Sequence, residues 1–178
     1  MESLINLVET KPYKNVTIQQ ITDNCGLKKR IFYYYFHDKF DLLEFTFNIF
    51  ISKAAKYTFD NVNLIETVEG ILTLMCENRR FFINASIDKE PYDLQEVMYR
   101  VILRAYMLIV VSDMNIPPNS KTELGKSDPN LLFALEFWVS GVSATTFQWI
   151  RNGMKESPQD FAQRLFLCFP PILHDYFE

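Results

Sequence analysis

The sequence predicts an all-α chain: a three-helix head with helix-turn-helix spacing, joined by a long fourth helix to a larger helical body. Three observations predict it. Apolar residues recur at three- and four-residue spacing through most of the chain. Only five glycines occur and β-branched runs are short, which leaves little material for strands. Helix start and stop signals punctuate the chain, and no strand pair, internal repeat or low-complexity tract interrupts them. At 178 residues, 48% apolar and 15% aromatic, the chain can bury a real core, whereas disorder needs the opposite composition.

The elements follow in order. Leu4, Ile5, Leu7 and Val8 keep helical spacing until Lys11-Pro12 stops them. Thr17 is a good N-cap for a short helix over Ile18–Asn24, and Gln20 at the third position after it predicts a capping box. Gly26 supplies a left-handed turn, Leu27 should pack inward to lock the angle, and a third helix runs from Lys28 to Tyr35. Asp38 caps a fourth helix that carries Phe40, Leu43, Phe47 and Phe50 and reaches towards Tyr57. Residues 1–45 thus form one expected domain and 46–178 the other.

In the body, Leu64–Cys76 is amphipathic, with Leu64, Val68, Ile71, Leu72 and Met75 on one stripe. A shorter helix follows over Arg79–Ile87, and Pro91 opens a long one over Tyr92–Val111. Asn115–Asp128 reads as a loop, because it holds Pro117-Pro118-Asn119-Ser120, Gly125 and Ser127-Asp128-Pro129. A long apolar helix over Leu131–Asn152 ends at Gly153. Ser157-Pro158-Gln159-Asp160 opens the last helix, which Pro170-Pro171 breaks.

Charge is unevenly spread. The net charge is −4, yet residues 11–40 hold six Lys/Arg against two Asp/Glu, and the remainder is correspondingly acidic. A basic head on an acidic body suits phosphate recognition, although chance clustering on a solvated face explains the count equally well. Lys28, Lys29 and Arg30 open the third helix, where charge and dipole both favour phosphate. Phe32 and Phe36 form its inward stripe, leaving Ile31, Tyr34 and Tyr35 outside, where tyrosines can donate to phosphate or touch thymine methyls.

Other chemistries find little support. Cys25, Cys76 and Cys168 are odd in number and far apart, no CxxC occurs, and His37 and His174 are the only histidines. This argues for reduced thiols in a cytoplasmic protein and against a metal site or other cofactor. No segment looks long enough to span a bilayer, and the start lacks a leader pattern. Glu66/Glu69 and Asp88/Glu90 are carboxylate pairs that surface charge explains, and no phosphate loop or nucleophile elbow appears, so no enzyme is expected.

Residues 13–43 resemble the DNA-binding region of the TetR/AcrR transcriptional regulators. The resemblance rests on Thr17 with Ile21 four residues on, Gly26-Leu27, the block Phe32-Tyr33-Tyr34-Tyr35-Phe36, then Lys39 and Leu42-Leu43. It implies that Thr17 and Gln19 contact the DNA backbone or groove edge. It further implies that Lys29, Arg30 and Ile31 face bases, that Tyr33 and Tyr35 touch phosphate or bases, and that Lys39 holds phosphate. Tyr34 sits where partial burial or a backbone contact is equally open. Trp138, Trp149-Ile150-Arg151-Asn152-Gly153 and Ser157-Pro158 are similar to a Firmicutes-type subgroup that includes an activator of a dihydroxyacetone kinase operon, which senses its signal through a protein partner. Relatives carry a longer basic segment ahead of the first helix, so either this head makes fewer contacts or the true start lies upstream.

The resemblance implies a DNA-binding regulator, a ligand- or partner-responsive repressor, whose partners are an operator duplex, a second copy and a small molecule or protein co-regulator, with no membrane. A helical adaptor acting through protein contacts is the alternative. Expected dimer residues are Phe133, Phe137, Gly141, Ala144 and Trp149 on one helix and Phe161 and Leu165 on the next. Candidate pocket residues are Phe81, Phe82, Tyr99, Tyr106 and Trp138, with Asn84, Arg100 or Arg104 as polar anchors; a core role explains the aromatics as well.

Overall fold

The computed structural model describes residues 1–55, 64–87, 94–114 and 121–176. The expected helix end at Tyr57, the start at Pro91-Tyr92, the Pro117–Ser120 turn and the Asp88/Glu90 pair lie outside them. The described residues form ten α-helices and no strand. The head holds α1 (Glu2–Val8), a 3-10 turn (Tyr13–Asn15), α2 (Ile18–Asn24) and α3 (Lys29–Tyr35). Next, α4 (Lys39–Ala55) leads into the body. There follow α5 (Leu64–Glu77), α6 (Arg79–Ala85), α7 (Leu94–Asp113), α8 (Lys121–Ser127), α9 (Pro129–Arg151) and α10 (Pro158–Phe166), with a closing 3-10 segment (Pro171–Tyr176).

Local chemistry fixes the ends. Asp128 caps α9 by accepting from the Asn130 and Leu131 N–H groups, with Pro129 in its first turn. At the far end the Met154 N–H donates to the Trp149 carbonyl at 2.8 Å and the Gly153 N–H to Ile150 at 2.9 Å. This is a Schellman closure, and Gly153 takes the positive φ of 80° that it demands. Ser157 caps α10 in the expected way.

One segment differs from expectation. Residues 121–127 are helix, not loop. Leu124 is fully buried, and a Cβ on Gly125 would stand 3.0 Å from the Leu132 side chain. The glycine that suggests a turn is a point of close approach between α8 and α9.

Leu4, Val8, Ile21, Phe32, Leu42 and Leu43 fill the head, and Phe47, Phe50, Phe81 and Phe82 continue the core into the body. The head is not free of the body. The Asn84 side-chain amide on α6 donates to the Val8 carbonyl at 2.8 Å and the Glu9 carbonyl at 3.3 Å, closing the end of α1. Arg79, on the same helix, donates to the Gly153 carbonyl at the α9 terminus. Thus α6 straps the head to the α9–α10 corner. Asn84→Ala should lower unfolding free energy by about 1–2 kcal/mol in urea melts. An unchanged midpoint would show the strap to be idle.

Candidate nucleic-acid interface

The turn between α2 and α3 is set by main-chain geometry. Gly26 has φ 66°, its N–H donates to Asp23 at 3.1 Å, and the Leu27 N–H reaches the Thr22 carbonyl at 2.8 Å. This is a second Schellman closure. At the other end of α2, Thr17 and Gln20 make the reciprocal capping box, worth about 1 kcal/mol. Leu27 does not pack inward as expected. It is half exposed and borders a shallow groove with Ile31 and Tyr35. The hydrogen-bonded turn holds the angle, and Ile21, Phe32 and Leu42 already occupy the interior.

Helix α3 shows nearly all its surface to solvent. Phe32 alone is buried, against Phe36, which packs at its end. Lys28, Lys29, Arg30, Ile31, Tyr33, Tyr34 and Tyr35 are all exposed, Tyr34 by 80% and Tyr35 by 70%. The two outer tyrosines meet edge to face at 4.9 Å. Cations and aromatics therefore share one protruding helix. The neighbouring acids are engaged elsewhere: Asp23 accepts from Gln19 at 2.6 Å, and Asp38 caps α4. Donation from the His37 backbone N–H holds the Asp41 carboxyl below its usual range. Such a surface can meet an anionic groove with cations and hydroxyl donors while presenting apolar edges to bases. Thr17 and Gln19 are exposed on the adjoining helix.

Lys39 is placed differently from the expectation of a phosphate clamp. Its ammonium donates to the carbonyls of Tyr13 at 2.8 Å, Val16 at 2.9 Å and Lys14 at 3.3 Å, and lies over the Tyr13 ring. All three N–H donors are directed at protein. Burial pushes the Tyr13 hydroxyl well above its ordinary value, so the ring stays neutral beneath the ammonium. Lys39→Met should cost about 1–3 kcal/mol of stability and change the salt dependence of DNA binding by less than about half a unit. A loss of roughly two units of slope, one phosphate from each head of a dimer, would restore the phosphate role.

The expected pocket residues do not come together. Phe81 and Phe82 are core, packed on Phe50. Asn84 closes α1. Arg100 pairs with Glu96 at 2.7 Å and Arg104 with Glu44 at 3.1 Å on the surface. Tyr99 is half-buried, its pKa raised by burial and then by nearby Glu136, which is itself paired with Lys121. Trp138 packs on Phe166 and Phe169. Only Tyr106 borders the cavity between α4, α5, α7, α9 and α10. Sequence reasoning missed its wall because the α5 stripe of Val68, Ile71 and Leu72 reads as ordinary core.

The expected dimer residues divide. Phe133 and Phe137 are 68% and 70% exposed and stack at 6.3 Å, with Gly141 exposed and Ala144 partly so along the same helix. Trp149, Phe161 and Leu165 are buried within the chain. Trp149 stacks on Phe161 at 4.9 Å and donates to the Glu156 carbonyl at 3.2 Å, so these two join α9 to α10 inside the chain, while Leu165 lines the body cavity. Their apolar character alone does not distinguish those two uses.

Among the described residues no helix is long and apolar enough to cross a membrane, and no cluster of His, Cys, Asp or Glu could hold a metal.

Comparison with known proteins places this geometry. No curated protein matches the chain by sequence. Among solved structures, the dihydroxyacetone kinase operon activator DhaS is similar over 98% of this chain and 92% of its own, with TM-score 0.54 and 17% identity. At that identity the likeness shows the fold. Residues 2–45 match the family of bacterial regulatory proteins named for tetR, and residues 62–169 match the C-terminal region of its transcriptional regulators. Because the head match contains α2, α3 and their turn, and the body match covers more than half the chain, this protein belongs to the TetR family of DNA-binding transcriptional regulators.

Proposed function

We propose that the chain acts as a homodimeric repressor that reads a specific operator through α3 and responds to a small molecule or protein partner through its body. The observation that carries the reading is the composition of α3. One phenylalanine anchors it, while two cations, a third at its N-cap Lys28, and three tyrosines stand in solvent. A solitary protein gains nothing from exposing that much aromatic surface. Lys29 and Arg30 supply charge-assisted donors, Ile31 an apolar edge, and Tyr33 and Tyr35 hydroxyls. Thr17 and Gln19 meet the backbone beside them. The reading contains no catalytic step.

Two copies are needed because a seven-residue helix covers few base pairs, and two-fold symmetric sites double its contacts. The exposed Phe133–Phe137 stripe supports pairing through α9. A response route is also supported, since α4 begins beside the head at Lys39 and its Phe47 and Ile51 line the body cavity.

The test is binding to duplex DNA from the region upstream of the protein's own gene. Lys29→Ala and Tyr35→Ala should each weaken it about five- to thirtyfold. Unchanged binding in both would remove α3 from the interface. A chain that binds no duplex even at low salt would be acting through protein contacts instead.

A further inference from the structure

The cavity of the body has a chemistry of its own. It measures about 220 Å³ and lies among five helices. Its wall is hydrocarbon, exemplified by Ile71, Met98 and Ile102, and among the described residues no acidic or basic side chain lines it. The polar exceptions are the hydroxyl residues Thr67, Tyr106 and Thr146. Beside the Tyr106 hydroxyl, the Trp138 indole N–H is buried and finds no acceptor of good hydrogen-bond geometry among the described residues. The polar content is therefore a few neutral groups at the edges of an apolar space.

We propose that this cavity takes a neutral, mainly hydrocarbon molecule of roughly ten non-hydrogen atoms, with one hydroxyl-type group, and rejects ions. The size follows from comparison with apolar protein cavities of roughly 150 Å³ that accept benzene. The rejection of ions follows from desolvation: a carboxylate or phosphate entering here loses its water and meets no cation among the described lining residues. A hydroxyl loses much less and meets Thr67, Tyr106 or Thr146. The ligand class rests on the regulator reading only for its consequence. Filling a space walled by Phe47 and Ile51 loads the helix that starts at the head, so occupancy is coupled to DNA binding.

The probes are 1-octanol and octanoate, matched in length, added to the full chain at neutral pH. Binding is read by calorimetry and by the thermal midpoint. Octanol should bind at least tenfold more tightly than octanoate, and affinity along 1-hexanol, 1-octanol and 1-dodecanol should peak in the middle. Ala105→Phe and Ile71→Phe each place a ring in the cavity, and each should weaken octanol binding at least tenfold. Equal binding of octanoate, affinity that keeps rising to dodecanol, or no octanol binding up to its solubility overturns the proposal. So does full octanol binding in a cavity-filled variant that melts cooperatively. Operator binding is measured on the same samples. DNA binding without octanol binding removes the ligand class alone; octanol binding without DNA binding removes the regulator reading alone.

Discussion

Replacing Lys28, Lys29 and Arg30 together by alanine should lower operator affinity a hundredfold or more and flatten its salt dependence. All three side chains are exposed, so their removal leaves the head core of Leu4, Ile21, Phe32 and Leu42 intact. A Lys or Arg at a base edge contributes about 1–3 kcal/mol of discrimination, and each phosphate that is neutralised adds about 0.9 to the salt slope. Removing one phosphate partner from each head of a dimer thus reduces the slope by roughly two units. Titration of operator and scrambled duplex at several salt concentrations separates the two effects. A triple variant with undiminished affinity and slope would mean that α3 does not face DNA. The expected loss exceeds that for Lys39, whose charge is turned to the Tyr13–Val16 carbonyls.

The second large effect concerns assembly. Phe133→Glu with Phe137→Glu should convert a dimer into a 21.0 kDa monomer in sedimentation velocity. Both rings already stand in solvent in the single chain, so the variant should keep its melting cooperativity. In a symmetric interface the pair is buried twice, and each phenylalanine contributes about 1.5–3 kcal/mol when fully covered. Four introduced carboxylates facing one another add repulsion. Operator affinity should fall with the dimer, because each monomer carries one recognition helix. A variant that sediments as wild type would move the interface elsewhere. Trp149→Glu is a poor substitute: it would place a carboxylate in the seam against Phe161 and unfold α10 before it reported on pairing.

Much of the fold is legible in the sequence because its helix ends are written in short-range chemistry. Thr17 and Gln20, Gly26, Asp38, Asp128, Gly153 and Ser157 all act within a few residues of themselves. The aromatic block of α3 is legible for the same reason: so short a helix cannot bury five consecutive rings. What is not legible depends on distant partners. Lys39 reaches carbonyls more than twenty residues earlier, and Asn84 binds one 76 residues away. Trp149 and Phe137 are equally apolar on α9, and only the position of α10 buries one and leaves the other exposed. Gly125 reads as a turn until Leu132 is placed against it. The cavity is hardest of all to foresee, since pocket walls and filled cores use the same residues.

Hydroxyl-radical footprinting of the full chain on DNA flanking its own gene decides whether α3 is the reading element. Two protected patches are expected, one helical turn or a whole number of turns apart, and both should disappear in the Lys28, Lys29 and Arg30 triple variant. Protection that persists in the triple variant, or no protection of any duplex at low salt, would show that α3 does not read DNA.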